Sequence, residues 1–260
     1  MVGLPRITTI LPVSSDTIKL KPGLSGYICV RNGNRLDYCW KEAVLSLVLI
    51  CDEVVVCDSD SDDGTLQDIE DLMLDEPKVR LVQWPYPNPP PFGDRDWTNR
   101  WYNWTREQLG FDMQINFDAD EILDPCSFPE IREAVAKRDA KMARYIHFNH
   151  RSNMVSQWGD GRKPLLAPTE MYMHTHGPGP EGLAHIRDVA TDGTNIVLYH
   201  YSTLRRPDCY AAKMKVVIPA LEGWIPTFEH LDPLPHEVPN FFGKHPDVIV
   251  PWLKERGHAV

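Results

Sequence analysis

Two acidic turns contain the residues whose types and spacing best suit chemistry. The first spans residues 58–65, Asp58-Ser-Asp-Ser-Asp-Asp-Gly-Thr65, and the second reads Asp118-Ala119-Asp120-Glu121. In the second turn the aspartates are two residues apart, so in extended backbone their carboxylates project to the same side. Such oxygens suit Mg²⁺ or Mn²⁺ and leave positions for water and phosphate oxygens. A metal bound there would neutralise charge on a diphosphate leaving group.

The first turn also resembles the start of a calcium-binding EF-hand loop. That loop needs glycine at its sixth position and glutamate at its twelfth. Counted from Asp58, these positions are Asp63 and Ile69, so the calcium interpretation is excluded. Asp62 or Asp63 can instead cap the helix that we expect to follow, and this role leaves Asp58 available to a ligand.

The elements around these turns alternate between strand and helix in the first half of the chain. Short apolar runs predict strands, and apolar residues at three- and four-residue spacing predict helices. This alternation indicates βαβ units, a parallel sheet and an α/β fold, with the strand ends that bind ligands along one edge. The predicted strands are 26–30, 53–57, 79–84 and 113–117, and the predicted helices are 36–50, 65–74 and 96–109.

The second half of the chain follows a different pattern, with strands that are not separated by long helices. The sequence Ser127-Phe-Pro-Glu130 predicts a capping box that opens a helix running to residue 139. Strands are expected at 143–149, 165–174 and 195–201, and further helices at 207–216 and 245–256.

Composition limits the class of protein. With 260 residues, 42% hydrophobic and 25% charged, the chain is expected to be globular rather than disordered. A net charge of −10 disfavours nucleic acid as a partner, although an acceptor that is a modified nucleobase stays open. The longest apolar run, residues 43–50, is too short for a membrane span, and we expect no secretory signal. We therefore expect a cytoplasmic protein whose six cysteines are free thiols.

Several motifs together resemble those of family 2 glycosyltransferases. Residues 57–65 resemble the family signature Val-Asp-Ser-Gly-Ser-Thr-Asp-Gly-Thr, and residues 117–121 resemble its Asp-x-Asp-Glu segment. Residues 28–32 and 51–56 resemble the first two strands of the family, and order and spacing agree over residues 25–125. One departure is Asp60, which replaces the usual glycine of the signature.

The resemblance implies a GT-A fold, a Rossmann-like and mostly parallel sheet with helices on both faces. It also implies a nucleotide-diphospho-sugar donor, most simply a UDP-sugar, a glycan or other hydroxyl acceptor, and Mn²⁺ or Mg²⁺ as cofactor. Bacterial and phage relatives act on surface glycans. On this basis we divide the chain into an N-terminal extension (1–24), a nucleotide-sugar-binding half (25–125), an acceptor-binding half of the same domain (126–217) and a C-terminal extension (218–260).

The resemblance assigns roles to individual residues by position. Asp58 would accept a hydrogen bond from the base or ribose, and Arg31 would lie beside the base. Asp118 would approach the ribose, or the metal through water, and Asp120 would bind the metal directly. Glu121 would order this turn. The expected nucleotide-sugar-binding set is Val30, Arg31, Asp58, Asn103, Asp118, Ala119 and Arg205.

A later segment, residues 199–205, resembles the His-Tyr-Gly-x-x-Arg stretch of some bacterial members, with Ser202 in place of the glycine. The resemblance implies that His200 completes a metal site with Asp118 and Asp120, and that Arg205 and Lys213 face the diphosphate. An alternative for His200 is a strand histidine that bonds to backbone.

Inverting transfer needs a carboxylate that removes the proton of the acceptor hydroxyl. Glu181 is our first choice because its glycine-rich loop lets backbone and ligand approach closely. Asp160 and Asp188 are the other candidates for this catalytic base. The sequence thus predicts a metal-dependent, inverting glycosyltransferase.

Two alternatives from other classes stay open. His174 and His176, followed by Glu181, imitate a metal site of the cupin type, although the flanking glycines of that motif are missing. The other alternative is a non-catalytic module that binds a glycan.

Overall fold

The computed structural model describes residues 20–85, 95–149, 151–155, 161–172, 190–217, 241 and 243–260. In these ranges strands and helices alternate through the first half of the chain, as the sequence predicted. The strands are β1 Lys21–Val30, β2 Glu53–Asp58, β3 Val79–Gln83, β4 Phe111–Phe117, β5 Glu121–Leu123, β6 Lys141–Asn149, β7 Arg151–Val155, β8 Gly161–Pro168 and β9 Thr191–His200. The helices are α1 Trp40–Val48, α2 Thr65–Asp75, α3 Arg95–Arg106, α4 Phe128–Lys137, α5 Pro207–Val217 and α6 Val250–Glu255.

All nine of these strands belong to one sheet, ordered β3-β2-β1-β4-β8-β6-β9-β5, with β7 paired to β6. β1 to β4 run parallel to one another, and β6 and β9 are parallel to each other. β8 runs antiparallel to both β4 and β6, and this strand joins the two halves of the chain into one sheet. The predicted α/β fold with a mostly parallel sheet is therefore confirmed.

Helices cover both faces of the sheet. Because successive side chains of a strand point to opposite faces, β1 contributes to two separate apolar cores. Ile28 lies in the core formed with α1, whereas Tyr27 lies in the core formed with Trp101 and Tyr102 of α3. No helix in the described ranges is long and apolar enough to cross a membrane. The six cysteines are free, and all but Cys126 are buried.

The chain between β1 and α1 differs from the prediction of a helix starting at residue 36. Asn32 and Asp37 have left-handed backbone φ values of 51° and 53°, which an α-helix does not accommodate. Residues 31–38 therefore form a loop, and α1 begins at Trp40. This loop lies at the end of β1, beside both acidic turns.

The predicted capping box at the start of α4 was wrong. Ser127 already has near-helical φ and ψ of −77° and −20°, and its hydroxyl makes no cap hydrogen bond. It accepts instead from the backbone N of Val197, at 2.9 Å. Glu130, the other member of the predicted box, accepts from the backbone N of Asn195 at 2.8 Å. Both side chains thus bind β9, because this strand packs against the start of α4.

Asp37 joins three distant segments. Its side chain is 3% exposed and accepts hydrogen bonds from the backbone N of Arg206, at 2.8 Å, and from Nε of Arg256, at 3.0 Å. Burial opposes ionisation, but the hydrogen bonds from Arg256 and Arg206 outweigh it, so the pKa of Asp37 is lowered. The loop after β1 is thereby connected to the start of α5 and to the residue after α6.

We expect Asp37→Asn to lower the free energy of unfolding by about 3 kcal/mol at pH 7, because the largely buried Arg256 then loses its buried ionised partner and keeps, among the described residues, only the exposed Glu255. Since the folded pKa of Asp37 is lowered, its stabilising contribution is fully present above the unfolded pKa and is lost as the pH falls from there through the folded pKa. The difference from wild type should therefore shrink below about pH 4.

Urea unfolding as a function of pH measures this difference. Asp62→Asn is the matched control, since the pair of Asp62 with Arg35 is exposed and should change stability by less than about 1 kcal/mol. Equal effects of the two substitutions would contradict the prediction.

Candidate functional site

Both acidic turns lie at the same edge of the sheet, where β1, β2 and β4 end. In the parallel register Val30 is opposite Asp58, and Ile28 is opposite Phe117. The backbone N of Ser59 donates to the carbonyl of Val30 at 3.0 Å, which fixes the first turn against the end of β1. Residues 58 and 118 therefore flank the end of the same strand.

Asp58 is a buried carboxylate with one oxygen left for a ligand. The residue is 1% exposed, and its Oδ2 accepts from the backbone N of Ser61 at 3.2 Å. Its Oδ1 is buried and has no hydrogen-bond partner among the described residues. Burial raises the pKa of Asp58, with smaller opposing contributions from Ser61. A buried acceptor of this kind is suited to a donor group of a bound molecule.

The first turn is shaped by a left-handed residue and by the loop after β1. Asp60, which replaces the glycine of the family signature, has a φ of 56°, in the region that glycine adopts without strain. The backbone N of Asn32 donates to Ser61 Oγ at 2.8 Å, and the backbone N of Asp62 donates to Asn32 Oδ1 at 3.0 Å. Asp60 thus adopts a backbone conformation that a glycine at this position would also accommodate.

At the second turn, Asp118 is oriented by three neighbours. Glu121 Oε2 accepts from the backbone N of Asp118 at 2.7 Å, which closes the turn. Tyr102 donates its hydroxyl to Asp118 Oδ1 at 2.7 Å, and Lys163 Nζ lies 3.1 Å from Asp118 Oδ2. The same lysine lies 2.6 Å from Glu121 Oε1, so that one ammonium group bridges two carboxylates.

Asp120 is a buried anion surrounded by basic groups. Its Oδ2 accepts from Arg205 Nη2 at 2.7 Å and from Lys213 Nζ at 3.0 Å, and its Oδ1 lies 3.1 Å from His200 Nε2. Burial opposes ionisation, but Lys213, His200 and Arg205 outweigh it and hold the pKa of Asp120 well below its usual range. Asp120 is therefore ionised at neutral pH.

The two basic side chains are fixed by the loop after β1. Arg205 Nη1 donates to the carbonyl of Leu36 at 2.6 Å, and its guanidinium lies 4.2 Å from the ring centre of Tyr38. Lys213 Nζ lies 4.9 Å from the same ring. Cations over an aromatic face are attracted by its electrons. The loop therefore orients the positive charge that faces Asp120.

His200 is oriented from the opposite side by a second histidine. His200 Nδ1 lies 2.8 Å from Nδ1 of His147, on the neighbouring strand β6. Burial and the neighbouring His200 lower the pKa of His147 to about 3, so His147 is neutral at physiological pH. The ring of His200 therefore has one nitrogen toward His147 and the other toward Asp120.

Asp120 and His200 have the side-chain types that bind divalent cations. Asp120 Oδ1 and His200 Nε2 are 3.1 Å apart, the distance of a hydrogen bond between them. Ligand atoms at right angles on an octahedral cation lie about 3 Å apart as well, so this spacing is compatible with either arrangement. In the described part of the chain no group of three or more His, Cys, Asp or Glu residues forms a metal site. A cation on this pair would need further ligands from phosphate oxygens or water, which is usual for Mg²⁺.

Among the residues predicted from sequence, the structure brings together at this edge Val30, Asp58, Asp118, Ala119, Asp120, His200 and Arg205. Arg31 directly follows the end of β1. Asn103 instead makes hydrogen bonds within α3, to the carbonyl of Asn99 and with Arg106. The candidate bases Asp160, Glu181 and Asp188 lie outside the described residues, as do His174 and His176 of the cupin-like alternative.

Three residues at the site were not found from the sequence: Tyr102, His147 and Lys163. Tyr102, whose hydroxyl contacts Asp118, directly precedes Asn103 in the chain. The prediction of a binding residue at position 103 was therefore one residue away. Lys163 and His147 belong to no motif. The signal for them is strand alternation alone, since Lys163 on β8 is paired with Ala143 and shares its face with Tyr145 and His147 on β6.

Comparison with solved structures finds S. aureus TarS residues 1–349, at 14% identity and a TM-score of 0.46, over 80% of this chain and 68% of that chain. TarS 1–349 in complex with UDP-GlcNAc gives 15% and 0.48, over 80% and 69%. A proposed glucose-1-phosphate thymidylyltransferase from Bacillus anthracis, in complex with a sucrose, gives 13% and 0.45, over 73% and 95%. No protein-family model and no curated protein matches the chain. Because these TM-scores are below 0.5, the fold assignment rests on strand order and register.

We expect Asp58→Asn to raise the free energy of unfolding by about 1 kcal/mol at pH 7–8, because a neutral amide avoids the cost of a buried charge with an unpaired oxygen. Since the folded pKa of Asp58 is raised, wild type loses stability as the pH rises through that pKa.

The stability difference between wild type and Asp58→Asn should therefore vanish below about pH 4, where Asp58 is protonated in both folded and unfolded chains. Thermal unfolding from pH 3 to pH 8 measures it. A variant less stable than wild type at pH 8 would contradict this account of Asp58.

Proposed function

We propose that the protein is a metal-dependent glycosyltransferase with a GT-A fold, similar to family 2 enzymes. It would move a sugar from a nucleotide-diphosphate donor to an acceptor hydroxyl, with inversion. One observation supports this proposal most directly. The two acidic turns lie at one sheet edge, with an unpaired buried oxygen on Asp58 and a ring of basic groups around Asp120.

The unpaired oxygen of Asp58 favours a base that presents an N–H to it. A buried carboxylate oxygen needs a hydrogen-bond donor, because leaving it unpaired is costly. Uracil, thymine and guanine have a ring N–H, and cytosine and adenine have an exocyclic amino group, so this oxygen alone does not select the base. We propose a UDP-sugar as donor, the choice that the resemblance to family 2 enzymes implies, with other nucleotide sugars as the competing choices. Arg31, directly after β1, would lie beside the base.

The second turn would bind the rest of the donor. Asp118, oriented by Tyr102 and Lys163, would accept hydrogen bonds from the ribose hydroxyls. Arg205 and Lys213 would contact the diphosphate oxygens, since both donate charge-assisted hydrogen bonds and lie within 3.0 Å of Asp120 Oδ2.

Asp120 and His200 would hold Mn²⁺ or Mg²⁺. The cation would neutralise charge that develops on the departing diphosphate. The remaining steps belong to the protein. A carboxylate takes the proton of the acceptor hydroxyl, the acceptor oxygen bonds to the anomeric carbon, and the bond from that carbon to the diphosphate oxygen breaks. Glu181 is our first candidate for the base, followed by Asp160 and Asp188.

The two alternatives make different demands on the protein. A cupin-type site would use His174, His176 and Glu181, but the α/β sheet seen here differs from the all-β barrel of that fold. A non-catalytic module would bind a glycan without turnover. A glycosyltransferase would bind a nucleoside diphosphate and hydrolyse or transfer its sugar.

The first test of this proposal is thermal stabilisation by UDP, dTDP, GDP, CDP and ADP, each with and without Mn²⁺. We expect stabilisation by UDP that requires Mn²⁺, and weaker stabilisation by the other four nucleotides. A screen of nucleotide sugars for metal-dependent hydrolysis then identifies the donor. Protein that binds none of the five nucleotides with Mn²⁺ present would refute the proposal.

The second test uses Asp58→Asn, which should fold at least as stably as wild type. We expect its affinity for UDP in the presence of Mn²⁺ to fall on the order of tenfold or more. The reason is that a neutral amide oxygen accepts the N–H of the base more weakly than a charged carboxylate oxygen does. Asp62→Asn, an exposed change in the same turn, should bind UDP like wild type. Calorimetric titration measures both, and unchanged binding by Asp58→Asn would contradict the assigned role.

A further inference from the structure

The second acidic turn is electrically balanced by the protein itself. Three carboxylates, Asp118, Asp120 and Glu121, are in direct contact with three basic side chains. The basic side chains are Lys163, Arg205 and Lys213. Three negative and three positive charges sum to zero. Carboxylates are natural ligands of a divalent cation. A cation that approaches this turn in the absence of nucleotide nevertheless meets little net negative charge.

Lys163 differs from the other two basic residues in what it contacts. Arg205 and Lys213 both contact Asp120, whereas Lys163 contacts Oδ2 of Asp118 and Oε1 of Glu121. It comes from β8, in the middle of the sheet, and its side chain is 19% exposed. Its ammonium also lies 5.8 Å from the ring centre of Tyr145. The ammonium of Lys163 thus lies within 3.1 Å of both carboxylates, and a cation in its place would meet both of them.

We propose that Lys163 is a positioning residue that makes the binding of the divalent metal depend on the nucleotide donor. This inference rests on the proposed function for its physiological meaning, although its central measurement needs only the metal. By occupying Asp118 and Glu121, Lys163 leaves a metal with Asp120 and His200 alone. That pair is a weak site until the diphosphate adds negative charge and oxygen ligands.

The same contact keeps Asp118 available for the donor. A metal bound to Asp118 and Glu121 would occupy the carboxylate that the proposed function assigns to the ribose. Lys163 contacts Asp118 Oδ2 while Tyr102 bonds Oδ1, so both neighbours orient this carboxylate together. The arrangement therefore separates the carboxylate proposed for the ribose from the carboxylate proposed for the metal.

The test is a titration with Mn²⁺ alone, in which free Mn²⁺ is counted by its electron paramagnetic resonance signal. Wild type should bind Mn²⁺ weakly without nucleotide and more tightly with UDP. Lys163→Met should bind Mn²⁺ without nucleotide on the order of tenfold more tightly than wild type, because Asp118 and Glu121 become available. In Lys163→Met, the ratio of the Mn²⁺ affinity with UDP to the Mn²⁺ affinity without UDP should therefore be smaller than in wild type.

Two further variants act as controls. Lys163→Arg keeps the positive charge and should bind Mn²⁺ as wild type does. Lys141→Met removes one exposed lysine, which bonds Thr191, and should also leave Mn²⁺ affinity unchanged. If Lys163→Met does not yield folded protein, Lys163→Gln replaces it, since its amide still donates to the carboxylates without the charge.

The proposal would be overturned if, in the absence of nucleotide, Lys163→Met or its replacement Lys163→Gln bound Mn²⁺ no more tightly than wild type. Equal tightening in Lys141→Met would overturn it too, because the effect would then follow net charge alone. Failure of the proposed function gives a different result, because UDP would then bind neither wild type nor any variant. In that case, tighter Mn²⁺ binding by the neutral Lys163 variant would still show that Lys163 keeps the metal away from Asp118 and Glu121.

Discussion

Asp120 stays ionised inside the protein because Arg205 and Lys213 contact the same carboxylate oxygen. An isolated buried charge is so costly that the carboxylate would otherwise take up a proton. Both basic residues follow β9, while Asp120 follows β4. The two halves of the sheet must therefore be joined in their observed register for this anion to exist. The packing of β8 between β4 and β6 makes that join.

The loop after β1 has the second essential part in this arrangement. Its backbone carbonyl at Leu36 and its ring at Tyr38 orient Arg205, while Asn32 orients the first acidic turn. One loop thus aligns the groups proposed for the base and those proposed for the diphosphate. The left-handed residues in this loop explain why it interrupts the helical pattern that the sequence shows from residue 36 onward.

The parts of the structure that were predictable from sequence are those set by local patterns. Apolar runs bounded by turns identified β1 to β4, and the acidic turns followed directly from the ends of two of these strands. Lys163 and Tyr102 were not predictable, because each meets Asp118 through contacts between distant segments. Ser127 shows the same limit, since its sequence matches a helix cap while its hydroxyl binds Val197 of β9.

The contact between Asp37 and Arg256 joins residues 219 positions apart. A chain that emerges from the ribosome N-terminus first has already made Leu36 and Asp37 long before their guanidinium partners appear. The contact between Asp37 and Arg256 therefore forms only after residue 256 has been synthesised. Until then the buried carboxylate has, among the described residues, Arg206 alone as a counterion, and the loop after β1 is less firmly held.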